Sequence, residues 1–325
     1  MENVKSKTSK KVVSKILISY NTYIMFAVLI IICMIISPDF FTVSNLTNIG
    51  RQYAGAIVVA MGMLMVILTG GIDLSVGSIV ALGSVIMATM LNIAGCSMFA
   101  SVVVTIAVGA GLGLFAGFLV ARMNMAPFIV SLAMMTVARG IAFMISNGSP
   151  IKTPANSIGV LGTSTIFGSF PTLVLLALIV VFIFWMVLKY TSFGRLTVAL
   201  GSNETAVSLA GIRVKSYKAS VYMISGICAS LGGIIAASRT AIGSPVAGTS
   251  MDMDAIAACV IGGASLSGGE GSAVKTLIGV LILALIGNIM NLLAVPSYPQ
   301  DVIKGFIIIA SVLLQVVSSA KKKNI

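Results

Sequence analysis

The sequence predicts an all-α, polytopic membrane protein with about ten transmembrane helices and both termini in the cytoplasm. Three observations lead there. Only 9% of the 325 residues are charged and 58% are hydrophobic, whereas a soluble domain carries roughly a quarter charged residues. Apolar runs of the length that crosses a bilayer core, about 20 residues for roughly 30 Å, recur along the whole chain, and the mean hydropathy is +1.13. The basic residues behind the net charge of +12 sit at the ends of those runs. That is the pattern of cytoplasmic loops and not of a nucleic-acid patch.

Taken in order, Lys5, Lys7, Lys10, Lys11 and Lys15 make a basic cytoplasmic tail over residues 1–16. The run 17–36 is too long for a signal-peptide core, and Ser37-Pro38-Asp39-Phe40 after it has no small-residue cleavage site, so it reads as an uncleaved first span. Runs 46–69 and 74–93 are the second and third spans. Run 97–121 is the fourth and carries Gly109, Gly113 and Gly117 at four-residue spacing. Such a stripe lets another helix approach closely, within the subunit or across a dimer seam. Arg122 then marks a cytoplasmic end, with Asn124 beside it as an interfacial anchor.

The fifth run, 126–146, leads to an outer loop, 147–170, whose one basic residue is Lys152. The sixth, 171–188, returns to a polar loop, 189–218, with Lys189, Arg195, Arg213, Lys215 and Lys218 inside. Run 217–238 is the seventh. Run 253–263 is short, and by length could be re-entrant. Were it not a crossing, Lys321, Lys322 and Lys323 would lie outside, so it counts as the eighth. Runs 275–293 and 302–319 complete the ten, with Arg239 and Lys304 as exceptions near outer ends. The organisation is thus a tail (1–16), a membrane domain (17–319) that includes the loop 189–218, and a basic tail (320–325).

No catalytic, cofactor or metal site is read from this chain. Histidine is absent, and Cys33, Cys96, Cys228 and Cys259 lack metal-like spacing and read as small hydrophobes. Asp73 and Ser75 lie in Gly70-Gly71-Ile72-Asp73-Leu74-Ser75-Val76-Gly77-Ser78, a glycine-rich break between two apolar runs. They can cap the following helix or form a gate or solute contact at a helix interruption. Asp252 and Asp254 read as helix-start residues with the same two options. A second break, Gly262-Gly263-Ala264-Ser265-Leu266-Ser267-Gly268-Gly269-Glu270-Gly271-Ser272, opens with the same Gly-Gly-x-x-Leu-Ser pattern and suggests related halves. Its end at Lys275-Thr276 is no phosphate-binding loop, because Val274 stands where glycine is required. Asn288 and Asn291 share a helix face and serve either as hydrogen-bonding glue between helices or as lining of a polar path.

The loop 189–218 contains a short helical pattern. Ser202 or Asn203 can cap it, and Glu204 suits its positive end. Ala206, Leu209 and Ala210 fall on one face, Gly211 can end it in a left-handed turn, and Ile212 can fold back. Two turns are not stable alone, so this helix needs something to dock on: its own membrane domain or a partner.

Several segments together resemble the permease subunits of bacterial ABC importers for simple sugars of the ribose, xylose and galactose type. They are Gly70 to Gly77; Ala126-Pro127-Phe128-Ile129 with Ala138-Arg139-Gly140; Asn147-Gly148-Ser149-Pro150-Ile151; Gly194 to Gly211; and Asp254-Ala255-Ile256-Ala257-Ala258 running into Gly262-Gly263. The resemblance implies an ABC importer permease fold and no ATPase site of its own. It also implies a bacterial inner-membrane location, a cytoplasmic ATP-binding subunit, an extracytoplasmic sugar-binding protein and a second permease copy. It implies a coupling helix that docks on the ATPase, carried here by Asn203, Glu204, Thr205, Ala206, Leu209, Ala210, Gly211 and Ile212, with Thr205 in place of the usual alanine. Membrane lipid is the other expected contact, and nucleic acid is not. The rival reading is an ion-coupled secondary transporter. Such proteins place carboxylates or histidines deep in the bundle, whereas Asp73 is the sole acidic residue between Asp39 and Glu204.

Overall fold

The computed structural model describes residues 21–154, 157–166 and 168–323. The expected tail 1–16, the start of the first run and the last two residues of the C-terminal tail lie outside the described residues. The helices are α1 (Asn21–Ile36), α2 (Val43–Leu68), α3 (Val76–Asn92), α4 (Met98–Arg122), α5 (Pro127–Ser146), α6 (Gly159–Thr163), α7 (Thr172–Tyr190), α8 (Ser192–Ser202), α9 (Glu204–Leu209), α10 (Val214–Thr240), α11 (Met251–Ile261), α12 (Ala273–Leu292) and α13 (Ser297–Lys323). Two-residue strands β1 (Ile151–Lys152) and β4 (Ile242–Gly243) pair antiparallel, as do β2 (Thr165–Ile166) and β3 (Phe170–Pro171). Residues 320–323, read as tail, continue α13.

Over its described residues, each of the ten apolar runs falls on a helix. Among the described residues, α2, α4, α5, α7, α10 and α12 are long and apolar enough to cross a membrane, and α1 and α3 are shorter apolar helices. Their ends follow local chemistry. Thr42 and Ser97 accept hydrogen bonds from Asn45 N and Ala100 N at the starts of α2 and α4. Pro127 opens α5, and Asn147 closes it at φ +48°.

The core is built around α2 and α10. The apolar window of α2 is 78% buried, against 22% for α7, so α2 is an inner helix and α7 a peripheral one. The outer faces of α4, α5 and α7 present Phe115, Phe118, Phe128, Ile129, Phe182 and Ile183, the apolar surface that lipid requires. The glycine stripe of α4 packs within the subunit against α10. A Cβ at Gly109 would stand 2.5 Å from Gly226 O, one at Gly117 would stand 2.8 Å from Ala219 Cα, and one at Gly113 would overlap Tyr222 O.

Two crossings are broken. α11 has 11 residues, about 16 Å at 1.5 Å per residue, half of a bilayer core. Irregular chain from β4 to α11 completes the eighth crossing by running down beside α3. Gly243 lies against Ser84 and Ala88, and Gly248 against Gly77 and Val80. Irregular backbone at membrane depth is tolerated where protein satisfies its polar groups. Here Ser84 Oγ donates to Ser244 O (3.1 Å) and accepts from Ser244 N (3.2 Å), while Arg139 Nη1 donates to Pro245 O (2.8 Å) and Ala247 O (2.9 Å). The third crossing is broken at its inner end. Asp73 bonds Ser225, and the Cα of Ser225 faces Gly62, six residues before the end of α2. α3 therefore begins about 9 Å inside that end.

Candidate functional site

The loop 189–218 folds as two helices lying across the inner ends of the membrane bundle. At the end of α7, Lys189 Nζ lies 5.1 Å from the Trp185 ring and 5.2 Å from the Tyr190 ring, an amphipathic cluster suited to the membrane–water boundary. The chain then turns sharply. Thr191 Oγ1 accepts from Gly194 N (3.1 Å), and a Cβ at Gly194 would sit 2.5 Å from Leu188 Cα, so glycine permits this close turn. α8 buries Thr197 and Leu200, and Phe193 stacks on Tyr217 of α10 with ring centroids 5.6 Å apart.

α9 follows directly. Asn203 is its cap: Oδ1 accepts from Ala206 N at 2.9 Å, whereas Ser202 Oγ instead donates to Val198 O. Glu204 occupies the first turn and pairs with Lys218 Nζ at 2.6 Å. Val207 points inward to Leu200 and Val214, and Ile212 folds back on the same cluster. Gly211 adopts φ +80° just past the end, where a side chain would be strained. The remaining positions face out. Thr205, Ala206 and Ala210 are exposed, and Leu209 is 84% exposed. A groove of about 410 Å³ between the end of α4 and α9 is lined by Arg122, Arg213, Lys215 and Lys218 together with Glu204 and Ser208. Its positive lining is the kind expected of a loop on the cytoplasmic side.

Asp73 is fully buried. Oδ1 accepts from Ser75 N and Ser75 Oγ, and Oδ2 accepts from Ser225 Oγ at 2.8 Å. Ser75 stands at the cap position of α3 but makes no capping hydrogen bond, because its hydroxyl is turned to Asp73. The carboxylate thus takes a backbone amide at the start of α3, as a cap does, and also pins that start to α10. Removing it orphans buried donors at roughly 1–3 kcal/mol each. Asp73→Ala is therefore expected to cost about 2–4 kcal/mol of stability and Asp73→Asn less. Thermal unfolding in detergent checks this, and equal midpoints for Asp73→Ala and the unsubstituted protein would refute the pinning role.

The two asparagines share a helix but not a partner. Asn288 and Asn45 exchange amide hydrogen bonds of 2.7 and 3.0 Å, joining α12 to α2. Asn291 Oδ1 accepts from Gln300 Nε2 at 2.9 Å, joining α12 to α13. Both make bonds between helices, Asn288 at a half-buried position and Asn291 at an exposed one. Asp252 and Asp254 stand in the first turn of α11. Arg139 was noted in the sequence only within a resembling segment. Its signal was an arginine inside an apolar run, which demands polar partners, and the carbonyls of the irregular segment supply them.

Comparison with known proteins places these features in context. A family model described as branched-chain amino acid transport system / permease component matches residues 45–312. The chain is 40% identical over 323 residues to the ribose import permease protein RbsC of Haemophilus influenzae, covering 98% of this chain and 99% of that protein. It is 42% identical over 306 residues to ribose import permease protein RbsC of Escherichia coli, covering 92% and 94%. It is 35% identical over 306 residues to the L-arabinose transport system permease protein AraH of Escherichia coli, covering 94% and 93%. No solved structure matches the chain.

Proposed function

Because this chain belongs to the branched-chain amino acid transport system / permease component family, we propose that it is the membrane-spanning permease subunit of an ATP-driven importer. It passes a monosaccharide or related small sugar-like solute by alternating access, as a multi-pass protein of the bacterial inner membrane. The relatives named for ribose and L-arabinose support a sugar as solute. They speak for the importer subunit and not for the ion-coupled transporter that the sequence left open.

The observation that carries this reading is α9. It is fastened to the membrane domain through Val207 and the Glu204–Lys218 pair while Ala206, Leu209 and Ala210 face away from it. An exposed leucine on a helix too short to stand alone is a surface that needs a partner. That partner is a separate cytoplasmic ATP-binding subunit. Asn203, Glu204, Gly211 and Ile212 hold the helix in shape, and Thr205, Ala206, Leu209 and Ala210 make the contact. ATP binding draws the ATPase together and shifts α9. The membrane bundle then opens outward to accept solute from an extracytoplasmic binding protein, and a second permease copy completes the path. Asp73 and Ser75 act at the gate by pinning the start of α3, while Asn288 and Asn291 fasten the outer ends of α2, α12 and α13 as these move.

Reconstitution in liposomes with the ATP-binding subunit and the solute-binding protein tests the reading. Uptake of labelled ribose or arabinose is expected to require internal ATP and to survive a proton uncoupler. Uptake that persists without ATP and collapses with the proton gradient would overturn it.

A further inference from the structure

The two glycine-rich breaks, far apart in sequence, meet at the cytoplasmic end of the bundle. A Cβ at Gly70 would lie 3.4 Å from Ser267 O, and one at Gly268 would lie 2.8 Å from Gly70 N. Gly269 N donates to Leu68 O at 3.0 Å, joining the end of α2 to the second break. Gly70, Gly268 and Gly269 adopt φ +77°, +87° and +79°, which residues with side chains rarely adopt. The shared Gly-Gly-x-x-Leu-Ser pattern thus marks two loops that share one seam.

The last turn of α8 lies across that seam. The Cβ position of Gly268 is 2.8 Å from Gly201 Cα, and that of Gly269 is 3.1 Å from Ser202 Cα. A side chain at Gly201 would overlap both Leu68 O and Gly269 N. The N-cap of α9, Asn203, follows two residues later. Backbone seated on backbone leaves no rotamer slack, and close-packed contacts pass strain on where loose ones absorb it.

We propose that Gly201 is the positioning residue through which displacement of α9 enters the membrane domain, moving both broken crossings at once. This rests on the permease reading. From the seam, the first break leads to Asp73, which is pinned to α10 through Ser225, and the second links α11 to α12. One pull on α9 therefore reaches α2, α3, α10, α11 and α12.

The test uses the full importer in liposomes and measures solute moved per ATP hydrolysed, with co-purification of the ATP-binding subunit as a second readout. Gly201→Ala is expected to retain the ATP-binding subunit but to move about tenfold less solute per ATP. Two glycines inserted between Ser202 and Asn203, which loosen α9 from the seam without any clash, are expected to give the same loss and decide the matter should Gly201→Ala fail to fold. Gly111→Ala, where nothing lies within 4 Å of the added carbon, is expected to match the unsubstituted protein. The proposal is overturned if the seam variants keep the normal solute-to-ATP ratio, or if they lose uptake only in proportion to lost ATP-binding subunit. An unsubstituted importer that moves no solute with ATP overturns the underlying permease reading instead, and this inference with it.

Discussion

Arginine at both Ala206 and Leu209 is expected to abolish ATP-driven uptake while the permease still inserts and folds. Both positions are exposed, Leu209 to 84%, so the substitution removes no contact within the subunit. Its cost falls on the partner. Two desolvated cations in a docking cleft that receives an apolar helix face lose several kcal/mol, the scale of a binding hot spot. Each 1.4 kcal/mol is a factor of ten in affinity, so assembly and uptake should fall about 100-fold or more. The checks are transport in liposomes and co-purification of the ATP-binding subunit, with monodisperse elution in detergent as the control for folding. Intact uptake in the doubly substituted protein would disprove the coupling role of α9. Val207→Arg makes the contrast: Val207 is buried against Leu200 and Val214, so this change is expected to disrupt the loop itself.

The largest structural effect is expected from Gly113→Leu. Gly109, Gly113 and Gly117 bring α4 onto the backbone of α10, and at Gly113 the first added carbon already overlaps Tyr222 O. Backbone of a long helix cannot yield as a flexible side chain can, so the two helices must separate along the contact. Overpacking typically costs 1–3 kcal/mol and more where backbone is struck, and here we expect more than about 3 kcal/mol. Yield of monodisperse protein and its thermal midpoint report the effect. Gly111→Leu, on an exposed face of the same helix with open space around it, should leave both unchanged. Equal behaviour of the two variants would show that α4 does not depend on this packing.

Local patterns made several parts of the site legible. A cap at Ser202 or Asn203, a left-handed Gly211 and a shared Ala206–Leu209–Ala210 face all follow from spacing within ten residues. The structure selects Asn203 and turns that face outward. The breaks at Gly70 and Gly262 were visible as punctuation between apolar runs. Other features had no local signature. Asp73 could be seen as a polar residue beside a helix start, but its partner Ser225 lies 152 residues away. Asn288 and Asn291 shared a helix face by periodicity, yet they bond to Asn45 and Gln300 on different helices. The short run at 253–263 hid a crossing completed by irregular chain, which no hydropathy count registers because that chain relies on Ser84 and Arg139 for its polar groups.

The sequence by itself determined the solvent of this protein and the order of its apolar runs, and its basic residues carry the expectation that the loop 189–218 is cytoplasmic. Those properties follow from summed hydropathy and from where basic residues fall, and both are local and additive. The tertiary structure alone decided that the glycine stripe of α4 belongs to α10, that two crossings are broken, and that two similar glycine-rich breaks meet beneath Gly201. These depend on which backbones approach closely enough to exclude side chains, and on which distant donors satisfy a buried carbonyl or carboxylate. Such choices are made by packing between segments far apart in the chain, and composition along any one of them does not encode the partner.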